Sequence, residues 1–406
     1  MAQLLSRGLV ALVFLWPAAC AQTLDAEEAG LPPTSPVELP LPDPRVQWSD
    51  EWRAIVYRPD GGAVAAVGYL PTKAAAEAVF RADVVDVPRT GALGVAIVEL
   101  SANGPQFAAL PADLGSPASR GAWAPDSSGF AQVLVSETSF LGLFDSSARS
   151  WRKVAVLDSY PTSNVSWFGR NIAVLGMRAE ARALAPEDQL GRQIVPHLCI
   201  VGSDGSGERG VVLSELGTSK NIRGMTIGWD PTGRFIAVAA SDRAIDDAAA
   251  TLLMVDARSM DVVSEHTIRP GVVDPDASIP QWAADGSSFV LLVRGAVYRC
   301  EISSRGEFSS VSRYDIPGVI DAVWCPGERS LLVMTKKHEA DVGETFETVI
   351  KIGENITHRY GYHVGEYVLA TDVLHELKDF ARFGREDWRQ PYMLPRVGEA
   401  FSSWAR

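Results

Sequence analysis

His197 and His338 lie in or beside long polar stretches of the chain, and two imidazoles brought to one point would begin a metal site. The sequence locates no third ligand for them, so they form a weak candidate pair and no metal is assigned. Asp242, Asp246 and Asp247 are close together but lack the alternating D-x-D-x-D-G spacing of a calcium loop, and read as a solvated acidic turn. For nucleophilic catalysis the chain offers no G-x-S-x-G, and the stretch after residue 363 is too short for an α/β-hydrolase domain. None of the four cysteines stands in a C-x-x-C pair. Cys199 and Cys300 sit in apolar runs and are expected as buried thiols, with a Cys300–Cys325 bridge as the alternative. No catalytic residue is assigned and no cofactor is expected. Three polar residues remain as candidates for binding a ligand or partner: Arg120, Asn164 and Asp321, each three positions before an aromatic residue. They can converge on a small polar ligand, or pair with one another.

Whether they converge depends on the elements that carry them. The stretch IGWDPTGRFIAVAA, from Ile227 to Ala240, has relatives built around Tyr57, Trp123, Trp167, Trp282 and Trp324. These aromatic residues lie 42 to 66 positions apart, and each opens a turn followed by an apolar run. A second half recurs between them: an apolar strand, a polar turn and another strand, as in LCIVGSDGSGERGVVL and, at the end, TVIKIGENITHRYGYH. Repetition at this period, in units of four short strands, predicts an all-β, six-bladed β-propeller of four-stranded antiparallel blades. The aromatic ring of each unit fills the wedge between neighbouring sheets, a structural role. The two hairpin turns of each unit share one face of the propeller. On the other face lie the remaining connections, of very uneven length, and the mouth of the central channel, where Arg120, Asn164 and Asp321 are expected. The propeller is expected over residues 46–362, and beyond residue 362 the pattern stops. EYVLATDVLHELKDFARFG places Val368, Val373, Leu374, Leu377, Phe380 and Ala381 near helical spacing, which predicts a short C-terminal helical tail over residues 363–406.

The W-x-P-D-G half and the D-G-S-G half of the repeat resemble those of TolB-like propellers, which carry WD-like repeats in bacterial periplasmic proteins. Trp123-Ala-Pro-Asp126 and Asp204-Gly-Ser-Gly207 match best, while Tyr57 and Trp167-Phe-Gly-Arg170 depart from the pattern. The resemblance covers residues 50–362. Together with the missing catalytic motifs, it implies a non-enzymatic, monomeric propeller that binds a protein or cell-envelope component through the variable-loop face. The alternatives are an enzyme at the channel mouth (a metal-dependent polysaccharide lyase or a lactone or ester hydrolase), and a carbohydrate- or small-ligand-binding module.

At the N-terminus, Arg7, the apolar run Gly8–Trp16 and the small residues after it read as a secretory signal over residues 1–21. Cys20 is either removed with it or is a lipidated cysteine, since Ala18-Ala19-Cys20 resembles the end of a lipoprotein box. Both readings place the protein outside the cytoplasm, in the periplasm or beyond, with the membrane touched only through such an anchor. Residues 22–45 read as a proline-rich disordered linker. A net charge of −13 argues against nucleic acid and against electrostatic docking on anionic lipid.

Overall fold

Among the described residues, the inner apolar runs of the repeat become strands whose alternate side chains enter different cores. The computed structural model describes residues 52–58, 63–68, 94–101, 104–118, 120–180, 193–216, 222–242, 249–271, 273, 279–324, 329–338, 348–352 and 355–376. The signal, linker and Cys20 readings therefore lie outside the described residues. All that is described belongs to one compact unit, Pro40–Arg406.

Six antiparallel sheets follow one another along the chain among the described residues. Sheet one holds β1 (Trp52–Tyr57), β2 (Ala63–Gly68), β3 (Gly94–Ser101) and β4 (Gly104–Ala109). In sheet two the first strand is split into β5 (Ser116–Pro117) and β6 (Ala122–Trp123), followed by β7 (Gly129–Val135), β8 (Ser139–Asp145) and β9 (Ser150–Leu157). Sheet three is β10 (Tyr160–Phe168), β11 (Asn171–Glu180), β12 (Gln193–Gly202) and β13 (Arg209–Val212). Sheet four is β14 (Ile222–Trp229), β15 (Phe235–Asp242), β16 (Ala250–Asp256) and β17 (Val262–Ile268). Sheet five is β18 (Gln281–Trp282), β19 (Ser288–Val293), β20 (Ala296–Ile302) and β21 (Phe308–Tyr314). Sheet six is β22 (Val319–Trp324), β23 (Ser330–His338), β24 (Thr348–Ile352), β25 (Asn355–Val368) and β26 (Val373–Glu376).

Among the described residues, apolar clusters hold these sheets together, each lying between two consecutive sheets. In β11, Ile172 and Val174 face sheet two while Ala173 and Leu175 face sheet four. In β15, Ile236 and Val238 face sheet three while Phe235, Ala237 and Ala239 face sheet five. A strand buried on both faces needs an unbroken apolar run, which is why these runs are so easily seen in the sequence. Each large aliphatic or aromatic side chain buried this way contributes roughly 2 kcal/mol. First strands lie beside first strands, β1 by β6, β6 by β10, β10 by β14, β14 by β18 and β18 by β22. This is the arrangement of propeller blades.

The repeated tryptophans do more than fill the wedges. Trp123 Nε1 donates to Val56 O at 2.8 Å, Trp282 Nε1 to Gly228 O at 3.1 Å and Trp324 Nε1 to Gln281 O at 3.0 Å. In each case the acceptor belongs to the preceding sheet and sits one residue before that sheet's own aromatic. Sheet three, whose Trp167-Phe-Gly-Arg170 departs from the repeat, breaks this series on both sides. Trp167 Nε1 donates instead to Gly169 O in its own turn, at 2.8 Å. Trp229 Nε1 is buried without a hydrogen-bond partner. Phe168 fills the gap so tightly that a Cβ on Gly233, at φ +71°, would overlap its ring.

The sixth sheet corrects two expectations. TVIKIGENITHRYGYH is not the third and fourth strand of the last unit. The second half of β25 pairs with β23 as the third strand, β26 pairs with β25 as the fourth, and β24 forms an extra hairpin with the first half of β25. The sheet therefore runs to Glu376, and Val368, Val373 and Leu374 lie on strands rather than on a helix. Buried Tyr367, with Leu369 and Leu374 packed against the core between sheets five and six, shows why. A short apolar run satisfies both periodicities, and the turn at Ala370–Asp372 resolves it as a hairpin. Residues 377–406 lie outside the described residues.

Candidate functional site

The two faces of the sheet array are built differently. Hairpins between first and second, and third and fourth, strands span two to six residues. Their turns are fixed by carboxylates that accept backbone N–H groups: Asp126 from Ser128, Asp145 from Ser147, Asp204 from Ser206 and Asp285 from Ser287. Arginines join neighbouring sheets on this face, Arg152 donating to Ser203 O and Arg234 to Ser304 O, both at 2.6 Å. On the opposite face the second-to-third connections range from two residues (294–295) to 25 (69–93). That of sheet three covers residues 181–192.

At the variable-loop face, in the wedge between sheets two and three, Asp158, Arg178 and His197 close on one another. Asp158 stands in the link from β9 to β10, Arg178 near the end of β11 and His197 in the middle of β12, opposite Gly176. Strand alternation puts Arg178 and His197 on the face toward sheet two, in step with Val174 and Cys199. Arg178 Nε lies 3.2 Å from Asp158 Oδ2, Arg178 Nη1 3.4 Å from His197 Nε2, and His197 Nδ1 3.7 Å from Asp158 Oδ1. A guanidinium can only donate, so a hydrogen bond here takes His197 Nε2 as its acceptor, while Nδ1 stands beyond hydrogen-bond reach of Asp158. Two glycines make room. A Cβ on Gly210 would come 2.5 Å from His197 Nε2, and one on Gly176 would come 2.8 Å from Ser159 Oγ. Near the rim, on the other face of sheet three, Tyr160 is 61% exposed and Ile194 42%.

The sequence-derived candidates divide. Arg120 and Asn164 are brought to neighbouring first strands, where Val165 N–H donates to Arg120 O at 2.8 Å. The Asn164 side chain, 4% exposed, turns to sheet four. Its Oδ1 accepts from Thr226 Oγ1 at 2.9 Å and from Ile227 N–H at 3.0 Å. Its Nδ2 donates to Ile227 O at 2.8 Å and to Val165 O at 3.2 Å. All four hydrogen-bonding positions of the amide are thus used inside the protein, clamping sheet three to sheet four where the tryptophan contact is missing. Arg120 is half-buried. Asp321 lies on β22 and His338 ends β23, and their side chains lie outside the described residues. Among the described residues no three His, Cys, Asp or Glu side chains come together to hold a metal. The cationic guanidinium against His197 Nε2 is also a poor neighbour for a metal ion.

Cys199 and Cys300 are buried free thiols, as expected. Burial, then the charge of Glu208 beside it, pushes Cys199 up to about 12, and burial does the same to Cys300. Neither is a nucleophile at neutral pH. Sequence reading passed over Asp158, Arg178 and Tyr160. β11 carries Arg178 and continues to Glu180. No helix among the described residues is long and apolar enough to cross a membrane.

Solved structures similar to this chain include TolB from Acinetobacter baumannii, at 12% identity and a TM-score of 0.38, covering 80% of this chain and 63% of that one. The β-propeller domain of Myceliophteria thermophila Cps50 (Swd1) is similar at 10% identity and a TM-score of 0.44, covering 80% and 96%. Acylaminoacyl peptidase of Pyrococcus horikoshii is similar at 12% identity and 0.44, covering 80% and 46%. The chain thus spans less than two thirds of the TolB chain and under half of the peptidase. No protein-family model and no curated protein matches the sequence. With TM-scores below 0.5, the fold rests on the strand order of the chain itself.

Proposed function

We propose that the six sheets are the six blades of one propeller around a channel, and that its variable-loop face binds a protein or cell-envelope component. The asymmetry between the faces carries this reading. One face is uniform, short-looped and tied down by carboxylate-held turns and inter-sheet arginines, whereas the other has connections of two to 25 residues and exposes Tyr160 and Ile194. Variable loops on a rigid scaffold, with aromatic and apolar side chains at the rim, are suited to recognition. Arg120, and Asp321 on β22, are the polar groups assigned to the channel mouth, while the Asn164 amide is spent on the clamp to sheet four. The leader-like residues 1–21 support export to the periplasm or beyond, with Cys20 as the anchor if it is lipidated.

The test replaces residues 181–192 by a two-residue turn like Arg294-Gly295, which joins β19 to β20. Photo-crosslinkers at residues 160 and 194 should capture an envelope protein with the full-length chain and lose it with the shortened one. The same crosslinkers capturing nothing from envelope extract, or capturing equally with both chains, would refute the reading.

A further inference from the structure

Arg178 is pinned without being fully used. Asp158 engages its Nε and His197 its Nη1, and neither contact takes Nη2. The side chain is 40% exposed, so the free end of a guanidinium already held in place faces solvent at the mouth of the wedge. Most exposed arginines must give up rotamer freedom when they bind; this one has lost it on folding. Its holder is itself fixed, because His197 is buried and seated over Gly210.

The chemistry of the group that would meet Arg178 follows from its neighbours. The outward Nη2 has donors only and matches a carboxylate oxygen. Asp158 stays beside it, so a phosphate with nearly two negative charges is repelled more strongly than a carboxylate with one. Tyr160 and Ile194 stand on the other side of the same sheet edge, both exposed. A ligand crossing that edge therefore meets a fixed cation on one side and apolar surface on the other. Resting on the reading of this face as a partner-binding surface, we infer that Arg178 receives a carboxylate from an extended protein segment, whose neighbouring apolar side chain lies against Tyr160 and Ile194. The carboxylate is either an acidic side chain or a chain terminus.

Three peptides separate the cases on the full-length chain by calorimetry at low salt. They are acetyl-Gly-Gly-Ala-Phe with a free carboxylate, the same peptide as its amide, and acetyl-Gly-Asp-Ala-Phe amide. One of the two carboxylate peptides should bind about tenfold more tightly than the neutral amide, and which one does so identifies the source. Arg178→Gln should abolish the difference, while Arg305→Gln in an exposed turn of sheet five should leave it unchanged. Arg178→Lys keeps a cation beside Asp158, and with it the fold, but has no outward Nη2 held in place; it should lose most of the preference. Equal binding of all three peptides, no binding at millimolar concentration, or an unchanged preference in Arg178→Lys would each overturn the inference. A partner still captured at residues 160 and 194 would then leave the broader reading of the face standing.

Discussion

Trp123 and Trp229 occupy equivalent places in sheets two and four and are equally buried, at 6% and 7% exposure. Each stacks against a phenylalanine, Phe130 at 5.2 Å and Phe168 at 5.9 Å between ring centroids. They differ chiefly in one bond: Trp123 Nε1 donates to Val56 O, and Trp229 Nε1 has no partner; Arg58 also lies 5.8 Å over the Trp123 ring, a contact that a phenylalanine ring largely keeps. Substituting phenylalanine removes the same apolar volume at both sites, so that cost cancels in the comparison. At Trp123 the change also removes an inter-sheet hydrogen bond worth about 1 kcal/mol net and strands the Val56 carbonyl. At Trp229 it deletes a buried donor whose desolvation was uncompensated, relieving roughly 1 kcal/mol or more. Trp123→Phe should therefore be the more destabilising by about 2 kcal/mol. Equilibrium urea unfolding followed by far-ultraviolet circular dichroism reads this directly. At a slope of roughly 3 kcal/mol/M the midpoints should differ by about 0.7 M. A Trp229→Phe midpoint at or below that of Trp123→Phe would refute the assignment of the tryptophan N–H as an inter-sheet tie.

Asn164→Leu keeps the volume but leaves Thr226 and Ile227 without their buried partner. It should cost about 3 kcal/mol or more, seen as a lowered thermal midpoint, and an unchanged midpoint would remove the clamp from the account. Gly233→Ala forces a Cβ into the Phe168 ring at positive φ, whereas Gly169→Ala, also at positive φ, meets nothing within 4 Å. The first should lower stability by about 2 kcal/mol more than the second in the same urea assay. The turn carboxylates Asp126, Asp145, Asp204 and Asp285 lie below their usual 3.8, the first three mainly through Ser128, Ser147 and Ser206 side-chain hydrogen bonds and Asp285 mainly through the Ser287 backbone N–H. A folded-state value below the unfolded one stabilises above pH 3.8 and is lost as pH falls through the depressed values. The thermal midpoint should thus be insensitive to these groups at neutral pH and fall below about pH 4, with Asp145→Asn flattening the fall. Native Cys199 and Cys300 should resist alkylation at pH 8 until the chain is unfolded in urea, and rapid labelling of either would contradict its burial.

What could be read from the sequence was what the physics forces to recur locally. Strands buried on both faces must be continuous apolar runs, and tight hairpins need Asp, Ser and Gly, so the units around Trp123, Trp229 and Trp282 were plain. The C-terminal correction arose where a short apolar run, Tyr367–Leu374, suited either periodicity and only its pairing with β25 settled it. The cluster at Asp158, Arg178 and His197 was hidden for another reason. Its members come from a link and two strands, and only the register, with His197 opposite Gly176 and two residues beyond Val195, which faces Arg178, brings them together. The departure at Trp167-Phe-Gly-Arg170 was visible, but its compensation by Asn164 was not. A buried asparagine looks the same in sequence whether it serves a ligand or the next sheet.

Apart from the Asn164 clamp, the tryptophan and arginine ties between sheets share a lopsidedness. Trp123, Trp282, Trp324, Arg152 and Arg234 each supply a side-chain donor, while Val56, Gly228, Gln281, Ser203 and Ser304 answer with nothing but a main-chain carbonyl. Every amino acid carries that carbonyl. The bond itself therefore restricts one partner of each contact tightly and asks no particular side chain of the other, although at Gly228 a Cβ would press on Pro280 O for a separate reason. A blade can change much of its sequence without its neighbours losing their grip on it. Divergent copies along one chain can remain mechanically interchangeable long after they have ceased to look alike.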